Sequence, residues 1–137
     1  MRSDFGLYRG RRLHTTPEKP EWVYGNLVTW RDGSADILED PLGKYDQSKN
    51  RYDVTPDTVG QYTGLRDKNG ERVFEGDILR FTNSDGETSI YDVFWGYHRW
   101  LTRMHDVYTA DPDDLDEVFC NSAEIIGNIH DNPDYWR

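Results

Sequence analysis

The sequence has little cysteine, few aliphatic residues and few positive charges. One of its 137 residues is a cysteine, Cys120, so a disulfide within the chain is excluded. Hydrophobic residues make up 35% of the chain, and no apolar run approaches the ~20 residues that cross a bilayer. The first residues also lack the apolar core of a secretory signal. We therefore expect a cytoplasmic protein that makes no contact with membranes.

The shortage of basic residues disfavours one class of partner. The chain has 16 Lys and Arg against 26 Asp and Glu, a formal net charge of −10. Duplex DNA attracts basic surfaces, so we do not expect it as a partner. The charge is also uneven, with +3 in residues 1–31, −5 in residues 32–105 and −8 in residues 106–137. This polarity favours either a basic partner for the acidic end or a head-to-tail homo-oligomer.

Aromatic residues compensate for the missing aliphatic ones. They make up 14% of the chain, with five Trp and nine Tyr. Each aromatic side chain buries a large area, so a few of them can fill a small β core. A chain of this length is predicted to form a single domain, residues 1–137.

Short extended segments alternate with turn residues along most of the chain. Asn69-Gly70 predicts a type I′ hairpin turn with positive φ at both residues. The spacing predicts a mainly β fold (α+β with minor helix), built as a small antiparallel, partly open SH3-like barrel or a sandwich. Further predicted features are hairpin turns at 31–34 and 83–86, strands at 22–30, 35–38 and 51–54, loops at 13–20 and 40–50, and a helix at 115–120 capped within 111–114.

Three blocks of sequence resemble the YopX family. They are residues 7–12 with 21–28, residues 59–79, and residues 124–133. The resemblance implies a small protein carried by phages or prophages, acting in the cytoplasm of a bacterial host cell, and it supplies no molecular activity. It places the signature β core at 53–81. Residues 82–122 have no matching block, so we expect any specialised function in this divergent region.

The acidic residues of the signature core are predicted to have structural roles. Asp67 is predicted to close its turn by accepting backbone hydrogen bonds. Glu75 and Asp77 are predicted to satisfy backbone amides at a sharp corner at Gly76. The same residues could instead form a polar patch at a barrel rim.

The sequence contains no recognisable catalytic or metal-binding motif. The four His and Cys120 lack the spacing of a zinc site. The acidic run at 111–117 lacks the central glycine and the well-placed glutamate of a calcium loop. No serine lies in a nucleophile elbow, and acids are too abundant for a catalytic pair to stand out. We therefore expect no metal, no cofactor and no catalytic residue, hence a non-enzymatic protein.

A basic cluster near the N-terminus is the candidate phosphate site. Arg9, Arg11 and Arg12 flank Gly10, and arginine suits bidentate phosphate contacts. The ligand would be a nucleotide or another phosphate-bearing molecule. Alternatively, these arginines pair with acids of the same chain or of a neighbouring subunit.

An aromatic stretch in the divergent region is the candidate partner surface. Interfaces are rich in Trp, Tyr and Arg, and we expect one of the tryptophans in the core and at least one aromatic residue exposed. The predicted target is a host protein, with nucleotide sequestration and a self-assembling phage component as alternatives. The predicted contact residues are Trp95, Tyr97, Arg99, Trp100, Asp113, Asp114 and Asp116.

Overall fold

The computed structural model describes residues 7–39, 51–105 and 112–136. The predicted loop 40–50 and the stretch 106–111 of the acidic end lie outside the described residues. The chain divides into two compact units, Met1–Tyr62 and Thr63–Arg137. The single domain therefore stays a prediction.

The first unit is an antiparallel sheet. Its elements are β1 (Tyr8–Arg11), β2 (Trp22–Thr29), β3 (Ala35–Leu38), β4 (Arg51–Val54), a 3₁₀ turn (Pro56–Thr58) and the start of β5 (Gly60–Arg66). The strands lie in the order β4-β3-β2-β1-β5. The three strands predicted between residues 22 and 54 are therefore confirmed, with the first one residue shorter than expected.

The core of the first unit lies on one face of this sheet. Val23, Ala35, Ile37 and Val54 are buried there. They come from three neighbouring strands, at alternate positions within β3, because alternate residues of a strand share a face. The opposite face of β2 carries larger polar and aromatic side chains, including the exposed Tyr24.

The second unit contains a five-stranded antiparallel sheet. Its elements are the end of β5, β6 (Arg72–Phe74), β7 (Asp77–Thr82), β8 (Thr88–Gly96), β9 (Arg99–Met104), β10 (Asp113–Asp114), α1 (Glu117–Asn121), β11 (Ala123–Asn128) and a 3₁₀ turn (Pro133–Trp136). The sheet order is β10-β9-β8-β7-β11, while β6 neighbours β5. The core residues are Val73, Leu79, Val93, Leu115, Cys120 and Ala123.

The prediction of a mainly β fold with minor helix is confirmed. The strands form antiparallel sheets, and within the described residues they do not close into a barrel. In the described part of the chain, none of the helices has the length and apolar character to span a bilayer.

The predicted type I′ turn at Asn69-Gly70 is wrong. Among these two residues only Gly70 has a positive φ, of 83°. The Asp67 N–H donates to the Glu71 carbonyl oxygen (2.8 Å), and the Gly70 N–H donates to the Asp67 carbonyl oxygen (3.0 Å). This pattern is a three-residue loop in which one glycine takes the left-handed conformation. The Asp67 side chain favours it, because its Oδ1 accepts the N–H groups of both Asn69 and Glu71.

The same loop design occurs at two other hairpins. In 30–34 and in 83–87 the first N–H donates to the fifth carbonyl oxygen, and the fourth residue is a glycine with φ near 85°. Asn83 repeats the role of Asp67, with its Oδ1 accepting from Asp85 and Glu87. The predicted turns at 31–34 and 83–86 are thus confirmed.

Two of the signature acids, Asp67 and Asp77, have the predicted structural roles, while that of Glu75 stays a prediction. Asp67 is 5% exposed, and its Oδ2 accepts the Ile125 N–H at 3.0 Å, which joins the turn to β11. Asp77 is 1% exposed, and its Oδ2 accepts the Phe74 N–H at 2.7 Å across the Gly76 corner. The second and third sequence blocks are therefore connected by hydrogen bonds.

The short helix begins later than predicted. Its N-cap is Asp116, whose side chain accepts the Phe119 N–H at 2.8 Å. Asp113 and Asp114 are not available as caps, because they pair with β9 as strand β10.

Candidate functional site

The hairpin between β8 and β9 has an unusual loop. Gly96 pairs with Arg99, so Tyr97 and His98 form a two-residue connection. Their φ angles are 51° and 66°, the left-handed conformation that asparagine and glycine adopt most readily. Tyrosine and histidine occupy it only at a cost, and such strain is concentrated at functional sites.

This hairpin also exposes aromatic surface. Tyr97 is 78% exposed and Trp95 is 52% exposed. The ring of Trp95 meets that of Trp100 edge to face, with centroids 4.9 Å apart, and Trp100 packs against the core of the second unit. The expected exposure of at least one aromatic residue is confirmed, and Trp100 is the tryptophan that packs, half-buried, against the core.

Acidic residues lie beside the aromatic hairpin. Asp113 and Asp114 pair with Thr102 and Leu101 of β9, and Asp114 forms a salt bridge with Arg99. Both aspartates are exposed. The structure thus brings together six of the seven predicted partner residues, whereas the seventh, Asp116, has its side chain engaged as the cap of α1.

The three arginines of the predicted phosphate site are not gathered in one place. Arg9 is 6% exposed, and its guanidinium lies 4.8 Å from the centre of the Trp22 ring. Arg11 shares that face of β1, since alternate residues of a strand point the same way. Arg12 follows the strand and bonds Glu21 through Nη1 at 3.0 Å.

Arg12 instead lines a cavity of about 310 Å³ in the first unit. The other lining residues are Leu13, His14, Arg51, Tyr52 and Asp53. Sequence reasoning missed these residues because they come from two segments separated by about forty residues. The two segments meet through an isolated β-bridge between Arg12 and Val54. No local sequence pattern predicts this bridge.

The thiol of Cys120 is not primed for nucleophilic chemistry. The residue is fully buried, and burial, reinforced by the nearby Asp116 and Asp67, raises the pKa of the thiol to about 12. The thiolate is the reactive species, so the side chain behaves as a small apolar group. No group of three or more His, Cys, Asp or Glu suited to hold a metal ion occurs among the described residues.

Asp92 is a buried acid in the second unit. It is 3% exposed, and Arg103 donates to its Oδ2 from Nη2 at 3.1 Å. Its Oδ1 has no hydrogen-bond partner in the described part of the chain. Burial raises the pKa of Asp92 despite the opposing effect of Arg103. This acid is therefore a source of pH-dependent stability.

The structure is that of a mainly β protein with exposed aromatic and acidic residues at one hairpin. The chain belongs to the YopX protein family, whose model matches residues 15–135. The crystal structure of protein EF1440 from Enterococcus faecalis is similar: it has 24% sequence identity and a TM-score of 0.52, and the match covers 94% of this chain and 98% of that one. At this identity the likeness concerns the fold alone. A search of curated proteins finds no match.

Proposed function

We propose that this protein is a phage- or prophage-encoded accessory protein that binds a host protein without catalysing a reaction. The observation that carries the proposal is the β8–β9 hairpin, where two large aromatic side chains are exposed at a strained loop. Its place of action is the cytoplasm of the bacterial host cell. Family membership supports this setting, since the YopX resemblance implies phage or prophage origin.

The hairpin has the composition of an interface hot spot. Binding energy at protein interfaces is concentrated in a few Trp, Tyr and Arg residues. Tyr97 projects most, and the edge-to-face contact with Trp100 holds Trp95 in position. A pre-positioned aromatic pair loses little conformational entropy when a partner packs on it.

The charge of the second unit favours a basic partner. Residues 63–137 contain seven Lys and Arg against 16 Asp and Glu, a formal net charge of −9, and the first unit carries the remaining −1. Asp113 and Asp114 put part of this charge next to the aromatic residues. A basic protein surface, such as the nucleic-acid-binding face of a host enzyme, complements both features.

The test is affinity capture from a bacterial lysate with tagged protein. We expect a basic protein to be recovered at about 0.1 M salt and to be lost as salt screens the charges. The double change Trp95→Ala and Tyr97→Ala should abolish its recovery.

The matched control is Tyr135→Ser, which removes another aromatic side chain of the second unit that is 41% exposed. It should leave recovery unchanged. Equal recovery by the wild type and the Trp95/Tyr97 variant would refute the proposal.

A further inference from the structure

The cavity of the first unit is not used by the proposed protein-binding function. Its volume of about 310 Å³ lies at the lower end of the range of small-molecule sites. One wall consists of residues 12–14 and the other of residues 51–53. The Leu13 N–H holds the walls together by donating to the Asp53 carbonyl oxygen at 3.0 Å.

Arg51 is fixed in position at this cavity. Its Nε donates to Asp36 Oδ2 at 2.8 Å, and its guanidinium lies 4.9 Å from the centre of the Trp30 ring. The side chain is still 41% exposed. A guanidinium has five N–H donors, so the bond to Asp36 leaves its terminal nitrogens able to meet an anion.

Arg12 is held in the same manner on the facing wall. Its Nη1 bonds Glu21, its guanidinium lies 4.8 Å from the centre of the Tyr52 ring, and its side chain is 45% exposed. Next to it, His14 has a φ of 69°. A histidine in the left-handed conformation is strained, which suggests that its side chain has a role at the cavity.

Asp53 provides an acceptor among these donors. It lies directly opposite Asp36 in the β3–β4 pair, and its interaction with the Asp36 carboxyl group raises the pKa of Asp53. A bare anion would be repelled by this acid. A ligand that suits the whole cavity therefore carries an anionic group together with hydrogen-bond donors.

We propose that this cavity binds a phosphomonoester with free hydroxyl groups, the chemistry shared by sugar phosphates and nucleoside monophosphates. Arg12 and Arg51 bind the phosphate, and Asp53 accepts a hydroxyl. The site keeps one arginine of the basic cluster and adds one that is distant in sequence. Because Glu21, Asp36 and Asp53 offset the arginine charges, we expect a dissociation constant on the order of 1 mM.

The experiment is an amide-shift NMR titration of the full chain with inorganic phosphate, ribose 5-phosphate and AMP. We expect shifts at residues 12–14 and 51–53, with ribose 5-phosphate and AMP binding about tenfold more tightly than inorganic phosphate. AMP binding more tightly than ribose 5-phosphate would identify a nucleotide site, and equal binding would identify a sugar phosphate site. An absence of shifts at these residues with all three ligands would overturn the proposal.

Two variants separate binding from folding. Arg51→Gln should weaken ribose 5-phosphate binding at least about tenfold, while Arg31→Gln, at an exposed turn of the same unit, should not. Because Arg51 also bonds Asp36, Asp53→Asn provides an independent test. Asp53→Asn removes the repelling charge, so inorganic phosphate should bind more tightly and the preference for ribose 5-phosphate should shrink. Unchanged affinities for both ligands in Asp53→Asn would contradict the proposed role of Asp53.

Discussion

Asp67 shows how a single side chain connects separate parts of the second unit. Its Oδ1 accepts two N–H groups of its own turn, and its Oδ2 accepts the Ile125 N–H of β11. Asn83 occupies the same position in the loop between β7 and β8, where it makes the two bonds within the turn. The two residues therefore form a natural comparison between a local and a long-range role.

Asp67→Ala should destabilise the protein by about 2–3 kcal/mol, because the partly buried Ile125 N–H of β11 loses its acceptor in addition to the two N–H groups of the turn. Asn83→Ala should lower the free energy of unfolding by about 1 kcal/mol, since water can accept the exposed N–H groups of Asp85 and Glu87 in its place. Urea unfolding followed by tryptophan fluorescence measures both. Equal losses would show that the bond to Ile125 contributes nothing.

Asp92 predicts a pH effect with a defined sign. Burial raises the pKa of Asp92 above the ordinary value of 3.8. In the pH window between 3.8 and this raised pKa, the folded state therefore holds a proton that the unfolded state has released. Its contribution to stability is therefore complete below pH 3.8 and is lost as pH rises through the raised pKa. The stability of Asp92→Asn relative to wild type should increase across this window and then level off, as measured by urea unfolding at each pH.

Glu124 provides a control of opposite sign. A hydrogen bond from Arg80 at 2.8 Å lowers the pKa of Glu124 below 4.5. Its contribution is present above pH 4.5 and is lost as pH falls through the lowered pKa. Glu124→Gln should thus lose stability relative to wild type at neutral pH and approach it in acid. A common pH trend for both variants would contradict this assignment.

At the scale of elements, the β8–β9 hairpin combines strain with exposure. Tyr97 and His98 each adopt a left-handed conformation that costs roughly 1 kcal/mol or more outside glycine and asparagine. Tyr97 is 78% exposed, so packing of its side chain within the chain contributes little to stability. Strained and exposed residues at this loop are expected if the loop contacts another molecule.

Replacing the loop by Tyr97→Asn and His98→Gly should raise stability by about 1–2 kcal/mol, because these residues suit a type I′ turn. Thermal unfolding monitored by circular dichroism measures the change. As a control, introducing Asn-Gly at Ser84-Asp85 should bring no gain, since residue 85 in that loop has a negative φ. A less stable Tyr97/His98 variant would show that the two side chains stabilise the fold itself.

The elements were largely predictable from the sequence, whereas their turn geometry was not. Turn residues flanking short apolar runs identified β2, β3 and β4 of the first unit. The type I′ turn predicted from Asn69-Gly70 was wrong because the Asp67 side chain accepts two backbone N–H groups and thereby stabilises a longer loop. The true two-residue turn, Tyr97-His98, carries no turn signal and follows from the pairing of Gly96 with Arg99.

The two candidate sites also differ in how far the sequence predicts them. The exposed aromatic surface was predictable because its residues, Trp95 to Trp100, are close in sequence and are of the types that are enriched at interfaces. The cavity was not predictable, since Arg12 and Arg51 meet only through long-range pairing of the Arg12 segment with β4. Composition pointed to arginines that are close in sequence, but Arg9 and Arg11 share one face of β1, whereas Arg12 lies beyond the end of the strand and lines the cavity.

At the scale of the whole molecule, charge is divided between the units. The second unit carries −9 of the formal charge and the exposed aromatic hairpin, while the first unit is close to neutral. Association with a basic partner should therefore depend on the second unit and weaken steeply with salt. A partner bound mainly by apolar contacts would show little salt dependence.

The most direct test of the central claim is lysate capture by the wild type and by the Tyr97→Asn/His98→Gly variant, compared side by side. The variant replaces the exposed Tyr97 and His98 side chains with residues that suit the turn, and its thermal unfolding shows whether a loss of binding could come from unfolding. The account predicts a basic host protein captured by the wild type and absent with the variant. Capture of the same proteins by both, or of none reproducibly by the wild type, would contradict it.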